Sequence, residues 1–106
     1  MADVLKVLGQ SQPPAGILTD IYTAIAQGSV STISICNTSP YDALFRLSIA
    51  IGGAADDFKQ YIHYDAKLKG NKTLTVTIGI SFAIGTVIRG YSDIGTVSFN
   101  IFGVEI

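Results

Sequence analysis

The stretch Ala43-Leu-Phe-Arg-Leu-Ser-Ile-Ala-Ile51 decides the fold class, because its apolar side chains recur at every second position. A period of two predicts a half-buried β-strand whose inward face carries Ala43, Phe45, Leu47, Ile49 and Ile51. The stretch Phe58–Asp65 also alternates, and the residues between the two segments are rich in Gly and Asp, which favour turns. Together the two segments predict a β-hairpin.

Further strands are predicted on both sides of this hairpin. Asp93-Ile94-Gly95 has the glycine of a short hairpin loop and separates the last two strands. The segment Gly79–Gly85 is expected to hold a turn of helix or a crossing connection, and Leu74, Val76 and Ile78 are expected to point inward. The remaining predicted strands are Val4–Leu8, Ile17–Thr23, Val30–Cys36, Lys72–Ile78, Val87–Ser92 and Thr96–Val104.

One of these strands contains an irregularity. The apolar positions change parity between Val30 and Ile33, which predicts a β-bulge. The total of seven or eight short strands, without a sustained helical period, is typical of an all-β, jelly-roll-like antiparallel β-sandwich. With 106 residues, the chain is expected to form one such domain over residues 1–106.

Charged residues are scarce. They make up 14% of the chain and leave a net charge of −1, while apolar residues make up 48%, too many for a disordered chain. Without a polybasic run, nucleic-acid binding is not expected. A surface with so few charges predicts an apolar contact surface and self-assembly.

The sequence shows no targeting or membrane-spanning pattern. The N-terminus does not follow the signal-peptide pattern, and the uncharged stretch 21–41 is too polar for a membrane helix. Cytoplasmic synthesis and no membrane contact are therefore expected.

The sequence offers no arrangement of residues that points to catalysis. His63, the single histidine, lies two residues from Asp65, and this spacing of about 7 Å along a strand does not by itself make a catalytic dyad. Cys36 is expected to be a small buried hydrophobe, and Asp56-Asp57 to be a solvated loop. No phosphate-binding glycine motif occurs. We therefore expect no enzymatic activity, cofactor or metal.

Tyrosines supply one set of candidate contact residues, because a tyrosine ring offers an apolar face and a polar tip. Alternation along Phe58–Asp65 places Tyr61 on the same face as His63 and Asp65, and Tyr64 on the opposite face. One of these two faces is expected to contact a partner, and core packing is an equally good interpretation for Tyr64.

The last strand supplies a second set. Val97, Phe99 and Ile101 fall on one face, and the other face is apolar as well. An exposed apolar edge promotes aggregation, so Phe102, Val104 and Ile106 are expected to be buried, by this chain or by a neighbouring subunit. The interface candidates are Tyr61, Tyr64, Phe102 and Ile106.

The chain also resembles small all-β virion structural proteins of tailed bacteriophages. The resemblance rests on Ala2–Ser11, Leu18–Thr23, Ser31–Asn37, Phe45–Ile49, Lys59–Asp65 and Val97–Glu105. It implies a non-enzymatic role in the virion, as a head decoration, a neck or collar component, or a tail-associated protein, and it implies no site residues.

Two functions are thus open. The first is a virion protein that assembles as a homo-oligomer, with a trimer favoured, and contacts other virion proteins. The second is a carbohydrate- or receptor-binding module, for which Tyr41 and Tyr91 near strand ends are the expected binding platform.

Overall fold

A computed structural model describes residues 4–77 and 79–106, and within them nine β-strands form two antiparallel sheets packed as a sandwich. Two short 3-10 turns, Ile51–Gly53 and Phe58–Gln60, lie between the fourth and fifth strands. The strands are β1 Val4–Ser11, β2 Thr19–Thr23, β3 Gly28–Asn37, β4 Ala43–Ala50, β5 Tyr61–Leu68, β6 Thr73–Val76, β7 Ile80–Phe82, β8 Val87–Ser92 and β9 Val97–Glu105. No helix in the described part of the chain is long and apolar enough to cross a membrane.

The strand pairing is that of one long hairpin rolled into a jelly roll. β4 pairs with β5, β3 with β6 and β7, β2 with β8, and β1 with β9. The pairs β3·β9 and β4·β8 then complete sheet I, in the order β1-β9-β3-β6, and sheet II, in the order β2-β8-β4-β5. The prediction of an all-β, jelly-roll-like sandwich is confirmed. The strand count is nine because β6 and β7 both pair with β3 and share one position in the roll.

The core lies between the sheets. The inward rows of β3, β4 and β9 are fully buried, and their residues are Ile33, Ile35, Phe45, Leu47, Val97, Phe99 and Ile101. The rings of Phe45 and Phe99 meet edge to face across the two sheets, with centroids 6.4 Å apart. Burial of each such side chain contributes about 1.5–3 kcal/mol, so these rows hold the two sheets together.

Several local predictions are confirmed. The inward positions Ala43, Phe45 and Leu47 are buried, and β4 and β5 form the predicted hairpin. The register of β3 against β9 shifts between Val30 and Thr32, where the parity change predicted a bulge. Leu74 and Val76 point toward the core, whereas Ile78 lies outside the described residues.

Other local predictions are wrong. Ile51 is 81% exposed, because β4 ends at Ala50 and the chain turns away from the sheet. β8 and β9 do not form a hairpin; they lie in different sheets, and residues 93–96 carry the chain between them. A short loop with a glycine suits a corner between packed sheets as well as a hairpin, so the local sequence did not distinguish the two.

The topology decides two further expectations. Residues 79–85 hold strand β7 and then begin the crossing connection to sheet II, so one of the two alternatives expected there is confirmed and the helical turn is not formed. The last strand, β9, is not a sheet edge, because β1 and β3 flank it on both sides. Its backbone hydrogen bonds are therefore satisfied within the chain.

Candidate contact surfaces

Within residues 4–77 and 79–106, the outward face of sheet I carries no charged side chain, and we call it the neutral face. Its residues alternate with the buried core rows, and the strand register brings them side by side: Val7, Phe102 and Thr32 lie opposite one another across three strands. The neutral face consists of Leu5, Val7 and Gln10 on β1; Ser98, Asn100, Phe102 and Val104 on β9; Thr32, Ser34 and Cys36 on β3; and Thr73 and Thr75 on β6.

One end of the neutral face is apolar. Leu5 is 83% exposed, Val7 47% and Phe102 37%, and Val104 lies directly opposite Leu5. The rest of the face carries hydroxyl and amide groups, such as the pair in which Gln10 Nε2 donates to Asn100 Oδ1 at 2.7 Å. A contiguous exposed apolar strip on a neutral surface is typical of a protein contact surface.

The ammonium group of Lys6 on β1 points away from the neutral face. Lys6 sits between Leu5 and Val7, and its Nζ lies 2.6 Å from Oε1 of Glu105. Glu105 is buried and also accepts a 2.6 Å hydrogen bond from the Tyr22 hydroxyl. These bonds from Lys6 and Tyr22 lower the pKa of Glu105, while burial, together with the bond to Glu105, raises the pKa of Tyr22. The network ties β2 of sheet II to β9 of sheet I.

The outward face of sheet II has a different character. Four aromatic rings, Phe58, Tyr61, Tyr64 and Tyr91, cluster around Arg46, and we call this group the aromatic patch. The guanidinium carbon of Arg46 lies 4.2 Å from the ring centroid of Tyr64 and 4.3 Å from that of Tyr91. Tyr61 and Phe58 both meet Tyr64 edge-on, at 5.0 and 5.7 Å between centroids. Arg46 thus forms cation–π contacts with two rings of the patch, and the other two rings pack against Tyr64.

Irregular pairing of β5 assembles this patch. The register of β4 against β5 shifts twice, and Asp65 has a positive φ of 50°. Simple alternation put Tyr61 and Tyr64 on opposite faces, and that prediction is wrong, because the two rings are in contact. Tyr64 is 46% exposed and is not a core residue. Extra residues in one strand of a pair change which side chains share a face.

The side chains of His63 and Asp65 also make different contacts. Asp65 Oδ1 accepts a 2.7 Å hydrogen bond from Arg46, which raises the pKa of that guanidinium. The His63 ring instead tilts against the buried Phe45, with centroids 5.3 Å apart. The shared face predicted for Tyr61, His63 and Asp65 does not form.

In the acidic loop before β5, both carboxylates accept hydrogen bonds from nearby residues. Asp56 accepts a hydrogen bond from the Tyr61 hydroxyl at 2.8 Å, and Asp57 accepts one from the backbone N–H of Lys59 at 3.1 Å. Burial, and then the bond to Asp56, raise the pKa of Tyr61 to about 12. Within residues 4–77 and 79–106, no group of three or more His, Cys, Asp or Glu side chains is placed to hold a metal ion.

The four interface candidates predicted from the sequence do not lie on one surface. Tyr61 and Tyr64 belong to the aromatic patch on sheet II, whereas Phe102 belongs to the neutral face on sheet I. Ile106 is 48% exposed just after β9, and its backbone N–H donates to the carbonyl of Gln27. The described part of the chain leaves both Phe102 and Ile106 partly exposed.

Other residues also depart from expectation. Cys36 is half-buried on the neutral face, because the bulge in β3 gives the inward positions to Ile33 and Ile35. Of the two rings expected to form a binding platform, Tyr41 is 74% exposed, as expected, whereas Arg46 covers one face of the Tyr91 ring. Sequence reasoning missed Leu5 and Val7, whose exposure depends on their pairing with β9. Comparisons of the chain with protein-family models and with curated proteins find no match.

Proposed function

We propose that this protein is a non-enzymatic structural protein that assembles with copies of itself through the neutral face. The observation that carries the proposal is an outward sheet face on which the described residues combine an exposed apolar strip with uncharged polar side chains. Burying such a face removes apolar surface from water and incurs no ion desolvation, the main cost of burying a charged surface.

The size of the face suits a pair of copies. With strands about 4.8 Å apart and residues about 3.4 Å apart, a face four strands wide and seven residues long covers roughly 450 Å² on each copy. The two faces together then approach the lower end of stable interfaces, about 1,000–1,200 Å². The hydroxyl and amide groups beside the apolar strip supply hydrogen-bond partners at the rim.

The same proposal places the protein in the particle of a tailed bacteriophage, on the head, the neck or collar, or the tail. Two features support this setting. Jelly rolls are common in viral capsid domains, although a fold alone does not determine function. The segments that resemble phage virion proteins include strands β1 and β9 of the neutral face and residues 31–37 of β3.

The number of subunits in the oligomer depends on whether the neutral face pairs with itself or with another part of the surface. One patch that pairs with itself generates a two-fold dimer, whereas a closed trimer requires contact between two different parts of the surface. Light scattering during size-exclusion chromatography, over a hundredfold range of concentration, gives the mass. A dimer or trimer supports assembly, and a monomer throughout contradicts it.

A matched pair of variants tests the surface. Val7→Lys places a charge in the apolar strip and is expected to give a monomer, whereas Ile84→Lys, at a 69% exposed position outside the neutral face, should assemble normally. If both variants assemble like the parent protein, the neutral face is not the contact surface.

A carbohydrate- or receptor-binding module is the second candidate. The observation that favours it is Tyr41, which is 74% exposed in the loop between β3 and β4 and whose backbone N–H donates to the hydroxyl of Ser39. A glycan array with the parent protein and Tyr41→Ala tests it. A signal that disappears in the variant supports the module, and the absence of any signal from the parent contradicts it.

A further inference from the structure

Three exposed isoleucines lie on three loops that meet at one end of the sandwich. Ile25 is 74% exposed in the loop between β2 and β3, Ile51 is 81% exposed just after β4, and Ile84 is 69% exposed between β7 and β8. We call this region the apolar end, and it consists of residues 24–27, 51–55 and 83–86. None of these three segments contains Asp, Glu, Lys or Arg. An uncharged cluster of exposed aliphatic side chains is typical of a contact surface.

Hydrogen bonds and close packing hold the three loops together. The Gly85 N–H donates to the carbonyl of Ala24 at 2.8 Å, and the Ala24 N–H donates to that of Thr86 at 2.8 Å. The third loop packs against these two, because a Cβ on Gly85 would lie 3.8 Å from the Cα of Gly52. Gly52 and Gly85 both have a positive φ, of 63° and 90°, which allows sharp turns at these two loop tips. The three isoleucines therefore belong to one surface.

Backbone groups of the apolar end also bond to one another. Besides the two bonds between loops, the Ala54 N–H donates to the carbonyl of Ile51 at 3.2 Å, and the Thr86 N–H donates to that of Ala83 at 3.2 Å. A backbone group without a partner is costly in a hydrocarbon environment. These bonds therefore lower the cost of moving the loop tips out of water.

The area and shape of the apolar end favour lipid over a second protein. Three isoleucine side chains expose on the order of 300 Å², whereas each partner in a standard protein interface buries about 800 Å². The side chains stand on separate loop tips and are 69–81% exposed, so a protein partner would need a matching hollow for each of them. The hydrophobic effect is non-directional, so fluid acyl chains surround each side chain without such a fit.

We propose that the apolar end inserts its three isoleucine side chains into the surface of a lipid bilayer. The side chains enter the boundary between headgroups and acyl chains, where interfacial proteins bury their apolar residues. The expectation of no membrane contact rested on the lack of a spanning segment, and loop tips contact one leaflet without spanning it. Because the three segments lack Lys and Arg, binding needs no anionic lipid. The contact goes beyond self-assembly, since the apolar end lies outside the neutral face.

Tryptophan fluorescence tests the insertion, because the parent sequence contains no tryptophan. Ile84→Trp places a reporter on the apolar end, and Tyr41→Trp places one in the loop between β3 and β4, at the opposite end of the sandwich. With phosphatidylcholine vesicles, the emission of Ile84→Trp should shift to shorter wavelength and be quenched by brominated acyl chains. The emission of Tyr41→Trp should not change.

The lipid concentration for this titration follows from the apolar surface that enters the bilayer. Three isoleucine side chains bury less apolar surface than one myristoyl chain, which binds with about 10⁴ M⁻¹, so half-maximal binding is expected at about millimolar lipid. No change in the emission of Ile84→Trp at about tenfold higher lipid would overturn the proposal and leave a protein partner as the occupant of the apolar end.

A matched pair of isoleucine variants shows which end binds. Ile25→Ser is expected to weaken cosedimentation with the vesicles about tenfold, because one aliphatic side chain no longer leaves water. Ile17→Ser removes a 55% exposed isoleucine in the loop between β1 and β2, at the opposite end, and should bind like the parent protein. Equal weakening by both variants, or binding that requires anionic lipid, would overturn the assignment.

A third variant separates lipid binding from self-assembly. Val7→Lys, which is expected to give a monomer, should still bind vesicles through the apolar end. Binding that is lost in Val7→Lys but retained in Ile25→Ser would assign the lipid contact to the neutral face and overturn the proposal. A parent protein that stays monomeric and binds vesicles would contradict self-assembly alone, so the two proposals fail separately.

Discussion

Replacing Phe102 with threonine is expected to weaken self-assembly by about a hundredfold or more. Phe102 lies on the neutral face between Val7 and Thr32, so Phe102→Thr removes the ring and introduces a β-branched residue that suits a strand. The backbone pairing of β9 with β1 and β3 should therefore persist.

The magnitude follows from the exposed part of the ring. A phenylalanine carries about 150–250 Å² of surface, and the 37% that is exposed amounts to about 60–90 Å² on each copy. At about 25 cal/mol per Å², burial of this area contributes about 1.5–2.3 kcal/mol per copy. Two copies lose about 3–4.5 kcal/mol, which corresponds to a Kd about 10²- to 10³-fold higher.

Sedimentation equilibrium on the parent protein and the variant measures this change directly. Phe58→Thr is the matched control, because Phe58 is 79% exposed but lies in the aromatic patch. Urea unfolding of each variant shows that it is folded. A folded Phe102→Thr protein with an unchanged Kd would refute the assignment of the neutral face, and an equal loss in Phe58→Thr would show that the effect is not specific to it.

Three further predictions concern stability. Phe99→Ala should lower the free energy of unfolding by about 3–5 kcal/mol in urea titration, because the ring is fully buried between the sheets, and a loss below about 1 kcal/mol would contradict this packing. Gly28→Ala should strongly destabilise or prevent folding in circular dichroism, because a Cβ there would overlap the backbone of a neighbouring strand, whereas Gly79→Ala, with nothing within 4 Å, should fold like the parent. The lowered pKa of Glu105 stabilises the fold above the ordinary glutamate value of 4.5, so this stabilisation is lost as the pH falls below it. Thermal unfolding between about pH 6 and pH 3 should show a smaller drop in Tm for Glu105→Gln than for the parent, and an equal drop would contradict the role of this carboxylate.

Local sequence predicted the regular parts of the fold. Alternation identified the inward row of β9 and the inward positions Ala43, Phe45 and Leu47 of β4, because side chains of a strand point to opposite faces in turn. It failed at the end of β4, where Ser48 and Ala50 were expected to face outward but are buried. The parity change between Val30 and Ile33 identified the bulge in β3. The same rule failed along β5, where two register shifts bring Tyr61 and Tyr64 together. The pattern of β5 shows no parity change, and its irregular pairing depends on β4 and on the positive φ of Asp65.

The sequence by itself determined that the chain is an all-β sandwich with few charges and an excess of uncharged side chains. Only the tertiary structure decided where those side chains meet. Val7 and Phe102 are distant in the chain, yet they lie opposite each other because the rolled hairpin pairs its two ends. The same pairing turns Lys6 toward Glu105 and away from the neutral face. Composition is a property of the chain alone, whereas a surface depends on strand register, which is set by contacts between residues far apart in sequence.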